Sequence, residues 1–163
     1  MKKTLSFGFL LAAGLLALIF WSWRGENAWA APNAVFKTIK GQTLALAELK
    51  GKPVLVTFWA SDCPSCLEEI PDLIALHQKF SGQGLTIIAV AMDYDPPNQV
   101  VELSNARQLP YAVALDPSAE LAQAFGNIRF TPTSFLIDKN GMVVAEKIGK
   151  FDLAELQEWL NNS

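Results

Sequence analysis

Two cysteines and one histidine are all that the 163-residue chain offers to disulfide or metal chemistry. Two cysteines cannot staple a small domain, and the short loop between Cys63 and Cys66 would constrain the unfolded chain little. A closed zinc site needs four ligands. His77, the one histidine, follows Cys66 by eleven positions, roughly 16 Å along an unbent helix, and reads as a helix-edge residue. Copper carriage would want a histidine further on, and none occurs. For so small a set of thiols and ligands a metal carrier and a thiol peroxidase are the weaker readings, and neither metal nor cofactor is expected.

Charge is scarce as well. Charged side chains make up 18% of the chain against 51% hydrophobic, the balance of one globular domain with an apolar segment attached. Residues 1 to 30 hold three of the 13 basic and one of the 16 acidic side chains, so the remainder has 10 and 15, a net charge of −5. No basic run survives in it, which argues against nucleic acid as a partner. There is no internal repeat and no low-complexity tract beyond the N-terminal apolar run.

That run extends from Thr4 to Trp23 without a charge, after Lys2 and Lys3 and before Arg24 and Glu26. Twenty helical residues rise roughly 30 Å, enough to cross a bilayer, with Trp21 and Trp23 suited to the interface. Ala28-Trp29-Ala30 supplies the small residues that end a secretory signal. Residues 1–30 therefore read as a signal peptide or an uncleaved membrane anchor, and residues 31–163 as the working domain. The paired lysines keep the N-terminus cytoplasmic in either case. The domain is expected in the periplasm or on the outer face of the cytoplasmic membrane.

Val35 to Ile39 alternates as a short strand, Gly41-Gln42 turns, and Thr43-Leu44-Ala45 returns, making a small hairpin. Leu46 to Leu49 can form one helical turn before Lys50-Gly51-Lys52-Pro53 breaks it. Val54 to Trp59 is a continuous apolar, β-branched and aromatic run, the pattern of a central strand covered on both faces. Both cysteines follow its C-terminal end, where open α/β sheets place their chemistry.

From Cys63 to about Phe80 the apolar residues Ile70, Leu73, Ile74, Leu76 and Phe80 form a helical stripe, with a kink expected at Pro71. Leu85 to Met92 is a second buried-type strand, closing a βαβ unit expected to be right-handed. Asp93 to Asn98 reads as a loop capping a helix from about Gln99 to Arg107. Ala112 to Leu115 is a weak strand, and Asp116-Pro117-Ser118 opens a short helix to Phe125. Ser134 to Ile137 and Met142 to Glu146 flank Asp138-Lys139-Asn140-Gly141, a strong hairpin signal. Asp152 with Glu155 resembles a capping box for a last helix ending near Leu160.

The spacing of Cys63-Pro64-Ser65-Cys66 puts both sulfurs on one face of a first helical turn, where a disulfide can open and close. A helix N-terminus stabilises a thiolate through free N–H groups and the macrodipole, so Cys63 is the expected nucleophile and Cys66 the resolving thiol. Pro64 fixes φ in that turn at little hydrogen-bond cost. At about 100° per residue Glu69 lies some 60° from Cys66 around the helix and Glu68 about 160°. Glu69 is the candidate base for the Cys66 proton, since a partly buried carboxylate has a raised pKa.

Four motifs in this order resemble the TlpA, ResA and CcmG family of exported thiol-disulfide oxidoreductases. They are Leu46-x-x-Leu49-Lys50-Gly51-Lys52-Pro53, Phe58-Trp59-Ala60-Ser61, Cys63-Pro64-Ser65-Cys66 with Glu69-x-Pro71, and Thr131-Pro132-Thr133-Ser134-Phe135-Leu136-Ile137-Asp138-Lys139-Asn140-Gly141. The resemblance implies a thioredoxin-like three-layer α/β sandwich, a central mixed sheet flanked by helices, with the N-terminal β-hairpin as an extension. It also implies a cis Pro132 opposite the cysteines, with the Thr131 backbone free to pair with an extended client and Pro132 keeping metal off the thiols. From chemistry alone an X-Pro bond is cis in only about 5% of cases.

Asp62 departs from the family, which usually carries tryptophan there. A carboxylate beside Cys63 disfavours the thiolate and makes the dithiol more reducing, unless Asp62 merely N-caps the helix. Asp62, Pro64, Ser65 and Trp59 are the residues expected to tune the pair. The activity implied is reduction of disulfides in exported proteins, with cytochrome c or copper-site maturation as contexts. A membrane-linked thiol donor would recharge the protein, which is expected to be a monomer.

Overall fold

The computed structural model describes residues 28–162. In chain order its elements are β1 (Trp29–Ala30), β2 (Val35–Lys37), β3 (Thr43–Ala45), β4 (Val54–Trp59), α1 (Pro64–Phe80), β5 (Thr86–Ala91), α2 (Pro97–Ala106), β6 (Ala112–Leu115), α3 (Glu120–Ala124), β7 (Thr133–Ile137), β8 (Met142–Ile148) and α4 (Leu153–Asn161). A six-stranded sheet has the order β1-β8-β7-β4-β5-β6, and β2 with β3 forms a separate hairpin. β4, β5 and β6 run parallel, while β7, β8 and β1 join antiparallel. This is the mixed sheet with flanking helices of the thioredoxin-like fold.

All six residues of β4 are buried, as a strand covered on both faces requires. On one face Leu55, Trp59, Ile87, Ala89 and Val113 meet the α1 stripe Cys66, Ile70, Leu73, Leu76 and Phe80, together with Leu156 and Leu160 of α4. On the other, Val54, Val56, Phe58, Ile88 and Val90 meet Phe36 and Leu46 from the hairpin side and Leu121, Ala122 and Phe125 from α3. Phe125 lies 5.4 Å from Phe58 and 5.0 Å from Phe135 between ring centroids. Fully burying a side chain of this size contributes about 1.5–3 kcal/mol.

The hairpin attaches beside β6 through the Ile39 N–H on the Val113 carbonyl, at 2.9 Å. At the opposite edge, β1 pairs Trp29 with Val143 and Ala30 with Met142, and the Trp29 ring stands edge-on to Phe135 at 6.2 Å. Strand pairing thus begins two residues before the domain start expected at residue 31. Among the described residues no helix is long and apolar enough to cross a membrane. The signal or anchor expected over residues 1–30 lies outside the described residues as far as position 27.

α1 runs its 17 residues with Pro71 inside it, and Pro71 stands on the exposed face, where a carbonyl freed at Leu67 is within reach of water. Several local expectations need correction. α2 opens at Pro97, not Gln99, because proline suits the first helical position. No side chain caps it, so the 93–98 loop does not serve as its cap. α3 is confined to Glu120–Ala124, with Ala119 at φ 56° before it. Asp116 reaches across that gap, its carboxylate accepting the Leu121 and Ala122 amides at 3.0 and 2.8 Å. Asp152 does cap α4, accepting from the amides of Ala154 and Glu155. The β7–β8 turn holds as expected, with Asp138 accepting from the Asn140 and Met142 amides and Gly141 at φ 82°.

Candidate functional site

Register decides which loops meet. Trp59 pairs with Ala91, Ala91 with Leu115, Phe58 with Thr133, and Thr133 with Ile148. The loops after β4, β5 and β8 and the one before β7 therefore gather at a single end of the sheet.

Cys63 stands at the start of α1 as its N-cap, in extended conformation, and Pro64 occupies the first helical position. The two cysteines form a disulfide with Cα atoms 5.3 Å apart. Cys66 is only 3% exposed and packs in the core, whereas Cys63 is half-buried. The sulfur of Cys63 accepts the Cys66 amide at 3.3 Å. It takes the place of the oxygen that usually caps a helix, so Asp62 is not the cap. Asp62 is exposed. Ser65 Oγ lies 3.5 Å from Cys63 Sγ, and Trp59, 4% exposed, closes β4 beneath the pair.

The Thr131–Pro132 peptide is cis. The Thr131 carbonyl oxygen lies 3.6 Å from Cys63 Sγ, and the Pro132 carbonyl accepts the Gly149 amide at 2.7 Å. These two residues, 68 and 69 positions from Cys63, come to face it as the resemblance implied.

Glu68 and Glu69 part as their helical angles require. Glu68 is exposed and pairs with Lys150 at 3.4 Å. Glu69 is 1% exposed and accepts the Phe151 amide on Oε1 at 3.1 Å. Burial pushes the Glu69 carboxyl up to about 7 against the pull of the Phe151 N–H and Lys150, with Asp72 adding a smaller upward push. Glu69 and Cys66 line one small cavity of about 10 Å³ with Thr57, Trp59 and Tyr111, space for about one water. Burial, and then the nearby Glu69, push the Tyr111 phenol up.

His77 lies apart from the sulfurs in chain and contact, its ring edge-on to Tyr111 at 6.4 Å. Among the described residues no three His, Cys, Asp or Glu side chains gather as a metal site. A larger cavity of about 450 Å³, lined by Gly51, Phe80, Lys139 and Trp159 among others, contains none of the site residues.

Sequence reasoning missed the residue that holds the loop before Cys63. Asp95, 5% exposed, accepts the Ser61 amide on Oδ2 at 2.6 Å and the Ser61 hydroxyl on Oδ1. Parallel pairing of β4 with β5 brings their C-terminal loops together, so a carboxylate just after β5 was a readable signal. Gly149 and Phe151 were also missed. They act through backbone amides, which carry no mark in a sequence.

A family model described as Redoxin matches residues 26–160. The thiol-disulfide oxidoreductase ResA of Bacillus thuringiensis subsp. konkukian is 35% identical over 130 residues, covering 80% of this chain and 74% of that protein. The sporulation thiol-disulfide oxidoreductase A of Bacillus subtilis is 29% identical over 155 residues, 93% of each chain. Among solved structures, a thiol:disulfide interchange protein of the thioredoxin family from Chlorobium tepidum superposes with a TM-score of 0.76 at 29% identity, over 85% of this chain and 97% of that one.

Proposed function

The chain belongs to the Redoxin family and is a thiol-disulfide oxidoreductase, and from that premise we propose that it reduces disulfides in exported proteins through Cys63 and Cys66. The observation that carries this reading is the bonded pair itself, a half-buried sulfur at a helix start above a buried one. In the reduced protein the Cys63 thiolate attacks one sulfur of a client disulfide, and the other client sulfur leaves as a thiolate. Cys66 then gives its proton to Glu69, and its sulfur attacks Cys63, releasing the second client thiolate and closing the Cys63–Cys66 disulfide. Two electrons pass to the client. A membrane-linked thiol donor returns them by the same exchange run in reverse.

A carboxyl near 7 takes that proton at neutral pH. Thr131 and Pro132 offer the client a backbone edge beside Cys63. Pro64, Ser65 and Trp59 pack or bond around the pair and tune it, while Asp62 favours reduction over oxidation by opposing the Cys63 thiolate. The N-terminal segment exports the domain to the periplasm or the outer face of the cytoplasmic membrane. Cleavage after Ala30 would strip β1 and the Trp29 ring from the sheet, which favours the retained anchor. The protein works as a monomer on clients such as apocytochromes or copper-site proteins.

A Cys66→Ser variant expressed in the native host tests the reading. Mixed disulfides should accumulate at Cys63 with both clients and donor, identifiable after alkylation. Absence of any trapped partner, with Cys63 reduced and alkylatable, would overturn it.

A further inference from the structure

Glu69 is 1% exposed, yet as the base for Cys66 it must pass a proton to solvent before it can serve again above neutral pH. A carboxyl so placed needs a route. The groups around it are Cys66 and Asp72 on α1, the Phe151 amide and Lys150 in the segment before α4, and Tyr111 before β6. On the sheet side, Thr57 of β4 and Ser134 of β7 stand directly opposite in the antiparallel ladder. Both are buried, and the Ser134 hydroxyl donates to Thr57 Oγ1 at 2.9 Å.

A cross-strand hydroxyl pair is an ordinary device of sheets, but this one separates two cavities. Thr57 lines the cavity of about 10 Å³ that holds Cys66, Glu69, Trp59 and Tyr111. Ser134 lines a second, of about 170 Å³, with Phe151, Asp152 and Glu155 under α4. Glu146, Lys147, Asp152 and Glu155 on its rim are exposed. Trp59 Nε1 is buried with no partner among the described residues, and a small site with that side chain, a carboxyl and two hydroxyls suits one water. Tyr111 does not continue the chain on its own side. Its ring meets His77 edge-on at 6.4 Å, and His77 Nδ1 has no hydrogen-bond partner among the described residues.

We propose that the Thr57 and Ser134 hydroxyls are the path by which Glu69 exchanges its proton with solvent, leading from the small cavity beside Cys66 to the open groove under α4. The inference deepens the reading of Glu69 as the base and rests on it. Each hydroxyl has one hydrogen to give and two lone pairs to receive. A proton leaving Glu69 enters the cavity water, the water hands one to Thr57, Thr57 hands its own to Ser134, and Ser134 hands one to water in the groove. Every oxygen on the way ends with as many protons as it began with, and no electron moves. In the observed orientation Ser134 donates to Thr57, which leaves the Thr57 hydrogen free for the cavity and suits inward transfer. Rotation of both hydroxyls about their C–O bonds suits the outward one.

The test follows Glu69 in the full-length chain in its disulfide form, by time-resolved infrared absorption after a pH jump from about 5.5 to about 8.5, either side of the carboxyl's value of about 7. The carboxyl band missing from Glu69→Gln identifies the group. Thr57→Val and Ser134→Ala together remove both hydroxyls at nearly the same shape, a change close to neutral for folding. The double variant should lose the band at least about tenfold more slowly than wild type, with its equilibrium midpoint in place. Thr57→Ser, which keeps a hydroxyl, should lose it at the wild-type rate. An unchanged rate in the double variant would overturn the route. Equal slowing in Thr57→Ser, or a midpoint displaced by more than about one unit in the double variant, would mark a structural role and overturn it too. Absence of any carboxyl band titrating near 7 in wild type would instead overturn the base reading on which the route rests.

Discussion

The amide of Phe151 donates to Oε1 of Glu69 at 3.1 Å across 82 positions of sequence, so the carboxylate beside Cys66 is fixed by the backbone of the segment that leads into α4. That segment is also joined to the cis-proline loop, since the Gly149 amide holds the Pro132 carbonyl. Glu69 and the cis-proline loop are thereby held by one short stretch, residues 149–151.

Release of client from the Cys63 mixed disulfide should depend on an ionised Glu69. The rate should rise with pH through about 7, where the carboxyl loses its proton. Glu69→Gln should abolish that rise and slow release at pH 8 by roughly 10²-fold, at the low end for a general base. Stopped-flow measurement of release between pH 5 and 9 decides it, and an unchanged profile in Glu69→Gln would remove Glu69 from the mechanism.

The same carboxyl makes the disulfide form less stable as pH rises. Its folded value of about 7 lies above the ordinary 4.5, so between those values the folded state keeps a proton that the unfolded chain has released. The stabilisation is full below pH 4.5 and is lost as pH rises through 7. At about 1.4 kcal/mol per unit this amounts to about 3 kcal/mol. Denaturant titrations at pH 4 and pH 8 should show wild type losing that much relative to Glu69→Gln. Parallel pH dependences would contradict the buried, proton-holding state.

Asp95→Ala removes the two carboxylate oxygens that accept from Ser61 and leaves its hydroxyl only Gln99 Oε1, at 3.4 Å. Hydrogen bonds to a charged group contribute about 1.5–3 kcal/mol, and a buried donor left unpaired is costly. The variant should lose about 2–3 kcal/mol by denaturant midpoint and alkylate faster at Cys63 in the reduced form, as the preceding loop loosens. A midpoint within about 0.5 kcal/mol of wild type would show the clamp to be incidental.

Asp62→Trp should lower the Cys63 thiolate pKa by removing an adjacent negative charge. Because Asp62 is exposed, the difference between variant and wild type should shrink as salt is raised. Thiolate absorbance titrated at low and high salt measures both effects. Identical curves would leave the departure at position 62 without consequence for the redox pair.

Much of this architecture was legible because its causes are local. The unbroken apolar run of β4, the stripe on α1 and the Asp138 to Gly141 turn each follow from residues a few positions apart. The separation of Glu69 from Glu68 followed from helical angle alone. What escaped was set by register or by backbone. Asp95 reaches Ser61 only because β4 and β5 lie side by side in parallel, and Phe151 reaches Glu69 through an amide any residue would supply. The cap of α1 escaped for a chemical reason, since a sulfur fills a place that the usual preferences reserve for oxygen. α3 was read too long because Asp116 sits upstream of a left-handed residue and serves the helix from a distance.

β1 has a consequence for reach. Trp29 enters the sheet opposite Val143, and the strand that receives it ends at Ile148, five residues on, beside the sulfurs. At about 3.4 Å per residue the entry point and the reacting end are separated by roughly 17 Å of rigid strand. The distance from Trp29 to the sulfur-bearing end is thus fixed by strand pairing, and a change in the chain before Trp29 leaves it unaltered.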